Sequence, residues 1–215
     1  MFRKNMLRTN LLLIIGSLLI FNGCASTQYL TAKDRADTRS VFLDNVYVAD
    51  HIYYMGVSTV PPESEDGVEN KNQPKGMTVH QQQEFIEKMQ QEKGIDVRKM
   101  VANEFKQQLD KNKLFAVGKK NSDAVLSIEV PMYGLSIKNG FSVMLRPVLK
   151  VVGTLKRPDG RMIWSSSAFI NVMGSDTPEF EFDQIKENSD NLRQLYKKAT
   201  EIAVQRLIET LKRDA

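Results

Sequence analysis

Few residues of this 215-residue chain have strong chemical capacity, and they are widely scattered. Cys24 is the one cysteine, and His51 and His80 are the two histidines. A lone thiol closes no disulfide within its own chain, so Cys24 needs another explanation. The histidines lie 29 positions apart, not in a short spacing that would put two imidazoles on one helix face. A tetrahedral zinc site needs four nitrogen or sulfur ligands, and too few are present. Ser165-Ser166-Ser167 offers three hydroxyls. No Gly-x-Ser-x-Gly elbow frames them, and adjacent serines on a strand point to opposite faces. Asp123 and Asp159 stand at a strand entry and in a turn, where aspartate serves the backbone. No glycine-rich loop suits a phosphate. The sequence therefore predicts no catalytic residue, no metal and no cofactor, and the one chemical expectation falls on Cys24.

The residues before Cys24 say what that chemistry is. Arg3, Lys4 and Arg8 precede an apolar run from Leu11 to Phe21 that only Gly16 and Ser17 interrupt. A positive segment, a short apolar segment and small residues at a cleavage point describe a secretory signal. The run is about half the ~20 residues that a spanning helix needs. Phe21-Asn22-Gly23-Cys24 resembles a lipobox, the site at which bacteria attach diacylglycerol to cysteine and cleave before it. Lipidation of Cys24 accounts for the lone thiol, and several acyl chains (palmitate among them) anchor far more firmly than one. Ala25 in place of Asp favours the outer membrane of a Gram-negative cell, with the domain facing the periplasm.

Composition narrows the partners. Formal net charge is +4, but removing Arg3, Lys4 and Arg8 with the signal leaves 27 cations against 26 anions. A near-neutral domain has no electrostatic case for nucleic acid. The 192 residues after position 23 suit one domain with a substantial core.

The elements that must position any site follow from periodicity. Residues 1–23 read as signal, 24–39 as a lipidated polar tether, and 40–215 as one domain. Ser40–Val48 is rich in β-branched and aromatic residues and predicts a strand, with a second extended piece over Ile52–Val60. Residues 61–75 carry prolines, Gly67 and acids without apolar period, and predict a mobile loop. A glutamine-rich stretch from Val79 to Lys93 predicts a helix with only Phe85, Ile86 and Met89 to bury. After Gly94, Asp96 caps a helix whose stripe is Val97, Met100, Val101, Phe105 and Leu109; it ends at Asn112, before a short strand over 114–117. Residues 123–173 predict a three-stranded antiparallel meander. It alternates over Asp123–Val130, turns at Asn139-Gly140, and runs from Phe141 to Leu155. A second turn at Arg157-Pro158-Asp159-Gly160 leads into a strand over Arg161–Met173. In the middle strand Val143, Leu145, Leu149, Val151 and Leu155 face inward, and Arg146, Lys150 and Lys156 face outward as a solvated basic strip. Pro147 belongs at a bulge or where its missing N–H would face outward. Trp164 belongs beneath a helix. Leu192, Leu195, Ala199, Ile202, Ala203, Leu207, Ile208 and Leu211 form the longest stripe, a closing helix whose solvated face carries Lys197, Lys198, Glu201, Arg206 and Glu209. The fold class is α+β: an antiparallel sheet of three to five strands with amphipathic helices on one face.

Three stretches carry a family resemblance over roughly residues 40–213. IDVRKMVANEFKQQLDKNKLFAV resembles the helix-then-strand unit of several envelope proteins, SDAVLSIEV the strand that follows it, and LKRPDGRMIWSSS the hairpin ending in Gly and Trp. The group comprises the penicillin-binding-protein activator lipoprotein, the amino-terminal domain of TolB, and the curli secretion lipoprotein. The resemblance implies a non-enzymatic periplasmic α/β domain that binds something in the envelope. The expectation is a lipid-anchored accessory or assembly factor whose partner is an envelope protein or peptidoglycan. Its rivals are a structural lipoprotein that associates with itself, in an unknown oligomeric state, and an envelope hydrolase whose site one sequence does not display.

Overall fold

The computed structural model describes residues 27–58, 76–140, 142–174 and 176–213. The expected loop at 61–75 and the Cys24 anchor lie outside the described residues. A short helix α1 (Ala32–Ala36) leads into strand β1 (Ser40–Val48) and the brief strand β2 (Tyr53–Met55). Helices α2 (Val79–Glu92) and α3 (Val97–Asn112) precede β3 (Ala116–Val117). Three long strands follow: β4 (Ala124–Ile137), β5 (Met144–Lys156) and β6 (Met162–Ile170). Strand β7 (Phe180–Glu181) and helices α4 (Phe182–Glu187) and α5 (Ser189–Lys212) complete the chain.

The sheet is larger and more mixed than the sequence predicted. Its seven strands run β3-β1-β4-β5-β6, with β2 also beside β4 and β7 beside β5. The meander β4-β5-β6 is antiparallel as expected, but β1 pairs in parallel with β3 and β4, and β2 with β4. Parallel neighbours need a long crossover, and the segment holding α2 and α3 supplies one between β1 and β3. A strand's own alternation carries no record of its neighbour's direction, which is why the antiparallel expectation failed there.

Both long helices lie where their apolar stripes require. Val97, Val101, Phe105 and Leu109 of α3 are buried, and α3 packs on β1 and on α5. Helix α5 packs on β5 and β6 and buries the expected leucines and alanines together with Tyr196, Thr200 and Val204. Asp96 accepts from the Lys99 N–H at 3.1 Å, the predicted N-cap, and Lys113 ends α3 in the left-handed region at φ 50°. Inward residues of the sheet meet these helices: Leu126, Ile128, Leu149, Val151, Leu155 and Ala168 are all buried. Val143 is the exception, 56% exposed, because β5 begins only at Met144 and leaves it in the hairpin connection.

Strand β4 continues seven residues past the predicted Val130. A bulge between Glu129 and Met132, holding Pro131, switches which parity faces the core. Leu126, Ile128 and Val130 are inward before it, and Leu135 and Ile137 after it. Beyond the bulge, the β2 backbone crosses so close to Gly134 that a Cβ there would run into the Tyr53 carbonyl oxygen. Pro147 falls between the last β6 pairing at Leu149 and the β7 pairing at Leu145, a gap that tolerates a residue without an N–H.

Candidate functional site

The chain does not become a packed domain at residue 40. Residues 27–39 of the expected tether are bonded and packed onto the domain. Gln28 forms an antiparallel bridge with Ser165 of β6 through Gln28 N–H to the Ser165 carbonyl (2.8 Å) and the reverse bond (3.0 Å). Its side-chain amide donates to the Met162 carbonyl at 3.0 Å. Leu30 is fully buried in the core. Thr31 caps α1 by accepting from the Asp34 N–H at 3.0 Å. Only three residues separate Cys24 from the bridge at Gln28. A polar run with one leucine gives no periodic signal, so the sequence could not distinguish this strap from a linker.

A buried carboxylate locks the strap. Asp34 is 6% exposed and receives both guanidinium nitrogens of Arg161, at 2.8 Å on Oδ1 and 3.4 Å on Oδ2. Arg157 reaches the Asp34 carboxylate at 3.5 Å and donates to the Asp34 and Asp37 carbonyls. The Arg161 bonds, then those from Thr31 and Arg157, outweigh burial and hold the Asp34 carboxyl below its ordinary value. Arg157 and Arg161 flank the predicted turn, where Gly160 takes φ +86° and Arg161 N–H donates to Asp159. The strap is also tied to the far end of α5: Arg35 donates to the Leu211 and Arg213 carbonyls, at a helix end where carbonyls lack intrahelical partners.

A second feature is an open polar cleft of about 630 Å³ where the β1–β2 connection faces the junction of α2 and α3. Asp50, His51, Glu87, Asp96, Arg98 and Tyr133 are among its lining. The Tyr133 ring meets the buried Tyr196 edge-on at 6.0 Å, and Tyr196 Oη accepts from Gln90 at 2.7 Å. Burial, with the Glu87 and Asp96 carboxylates adding to it, pushes the Tyr133 hydroxyl up, so it stays a neutral phenol at ordinary pH. The buried Gln90 lines one wall, and the same helix buries Gln82 outside the cleft, although neither belongs to the apolar periodicity. Gln82 is 1% exposed; it accepts from the Tyr54 hydroxyl at 2.7 Å and donates to the Val57 carbonyl at 2.9 Å. Fully hydrogen-bonded glutamines can be buried, which composition alone does not reveal.

The other singled-out residues fall into structural places. His51 is exposed on the cleft rim, and His80 is exposed beside Glu84 at 3.3 Å. Among the described residues no cluster of three His, Cys, Asp or Glu is placed to hold a metal ion. Ser166 is buried opposite Gly153, while Ser167 is exposed and Ser165 carries the strap. Trp164 is fully buried against Gly153, where a Cβ would meet its ring at 2.7 Å. The basic strip divides. Arg146 staples the β6–β7 connection through Glu179, Val172 and Gly174, while Lys150 and Lys156 stay on the outer face. Asp123 accepts from the Arg39 and Ser40 N–H groups, both at 2.9 Å, joining the ends of β1 and β4. Those bonds hold its carboxyl below the ordinary range.

No family model matches the chain, and no curated protein does. Among solved structures the chain is similar to a Xanthomonas campestris protein of family DUF330, at 12% identity over 80% of this chain and 81% of that one, with a TM-score of 0.44. It is also similar to a PelC dodecamer from Paraburkholderia phytofirmans, at 10% identity over 87% of this chain and 95% of that one, with a TM-score of 0.37. Among the described residues no helix is long and apolar enough to cross a membrane.

Proposed function

We propose that this chain is an envelope lipoprotein, held to the periplasmic side of the outer membrane through lipids on Cys24, that acts as a non-enzymatic accessory or assembly factor. The observation that carries this reading is the sequence at its start: a positive and apolar leader ending in Gly23-Cys24, the one cysteine of the chain. The resemblance to the penicillin-binding-protein activator, TolB and curli secretion group supports the same reading. The strap adds a physical reason: an anchored domain is pulled at its amino terminus, and here that terminus is bonded into the sheet edge and clamped by two arginines. The polar cleft, with carboxylates, Arg98, His51 and a neutral Tyr133 phenol, offers hydrogen bonds of both senses to an envelope protein or glycan partner. An anchor raises a partner's local concentration, so modest intrinsic affinity suffices.

Metabolic labelling with a palmitate analogue tests the anchor. The wild-type protein is expected to take up label and fractionate with membranes, and Cys24→Ser to lose both. Unchanged labelling in the variant refutes the proposal. Cross-linking in intact cells, compared between wild type and a Glu87→Ala and Arg98→Ala double variant, then tests the cleft: loss of the cross-linked partner is expected.

A further inference from the structure

The strap fixes more than the domain's start; it fixes which side of the domain lies nearest the anchor. Because Gln28 pairs antiparallel with Ser165, the chain preceding Gln28 enters from the side of the carboxyl-terminal end of β6. Four residues lead from Cys24 to Gln28, and an extended chain of four residues reaches about 14 Å. Phe169 stands four residues beyond Ser165 on β6, about 13 Å along the strand. The lipids on Cys24 and the end of β6 are therefore held within the same short radius.

That end carries apolar side chains that the fold leaves in water. Phe169 is 47% exposed on the outer face of the sheet, and Met173, just past the strand, is 70% exposed. Cations flank them: Lys150 is the direct cross-strand neighbour of Phe169, and exposed Arg206 donates to the Phe169 carbonyl at 3.2 Å. Aromatic and thioether groups beside lysine and arginine suit the boundary of a bilayer, where the apolar parts enter the acyl edge and the cations meet anionic headgroups. We infer that the β6 end, through Phe169 and Met173, is the surface that rests on the membrane holding the Cys24 lipids, so the domain is oriented rather than swinging on a tether. In that pose the start of β4, the end of β5 and the β3–β4 turn point away from the bilayer. The inference rests on the proposed lipidation of Cys24.

The test uses the mature lipidated protein reconstituted in vesicles of phosphatidylethanolamine and phosphatidylglycerol. Acylation occupies the Cys24 thiol, so Met173→Cys and, at the opposite end, Lys120→Cys each present one reactive thiol for an environment-sensitive fluorophore. Both positions are exposed, so folding is not at stake. The expected result is a blue-shifted label at 173, shielded several-fold from an aqueous quencher, and a label at 120 quenched as in water. Equal quenching at the two positions, in protein that floats with the vesicles, overturns the orientation and leaves the anchor reading standing. Protein that lacks acyl groups by mass and does not float overturns the anchor reading and the orientation with it.

Discussion

The closing helix α5 and the amino-terminal strap hold the same part of the sheet by different means. Helix α5 rests on β5 and β6 through ten buried residues, from Leu192 to Leu211, at helical spacing. The strap reaches β6 through two backbone hydrogen bonds, one buried leucine and one carboxylate between two arginines. Helix α5 draws on nondirectional apolar burial, which tolerates pH and salt. The strap draws on directional, charge-assisted bonds, which specify one geometry and fail when a charge is removed. The two are coupled, because Arg35 of the strap caps the end of α5.

The largest expected effect comes from removing the strap. Starting the chain at Ser40 loses Leu30 burial and the Asp34 network together, and is expected to lower unfolding free energy by roughly 3–6 kcal/mol. Denaturant melting measures it; an unchanged midpoint would return residues 24–39 to the status of a linker. Next, Leu207→Ala empties a fully buried site in α5 and is expected to cost about 2–5 kcal/mol. A loss under about 0.5 kcal/mol would mean that α5 does not carry core load at its centre.

Asp34→Asn is expected to cost about 1–3 kcal/mol at neutral pH, because it removes a charged acceptor and leaves Arg157 and Arg161 without their counter-charge. Its pH dependence distinguishes it from the Leu207 change. The folded Asp34 carboxyl sits below the ordinary 3.8, so its contribution is whole above that value and disappears as pH falls through the lower folded value. Stability of wild type and Asp34→Asn should therefore converge as acid is added, whereas the gap for Leu207→Ala should persist. A constant gap for Asp34→Asn down to about pH 2 would show that the ion pairs contribute nothing titratable. The smallest effect belongs to Lys197→Ala on the solvated face of α5, expected within about 0.5 kcal/mol of wild type. A larger loss would place an unsuspected partner on that face.

How much was legible follows the same division. β1 begins and ends where composition placed it, α3 is capped at Asp96, and the turns at 139–140 and 157–160 stand between the strands they were expected to join. Each is a local statement, written in neighbouring residues. The polar cleft was not legible, because its buried Gln90 is satisfied by Tyr196, a residue far away in the chain. Arg146 read as part of a basic strip but folds back on the β6–β7 connection.

By itself the sequence determined the apolar periods, the caps and the turns, because these depend on side-chain types within a few residues of one another. Only the tertiary structure decided that β1, β2 and β3 join in parallel, that a bulge turns β4 over, and that Asp34 meets Arg157 and Arg161 across more than a hundred residues. Strand direction and long-range charge pairing depend on which segments the crossover brings together. Periodicity does not encode that, because a period reports the face that is buried and not the neighbour that covers it.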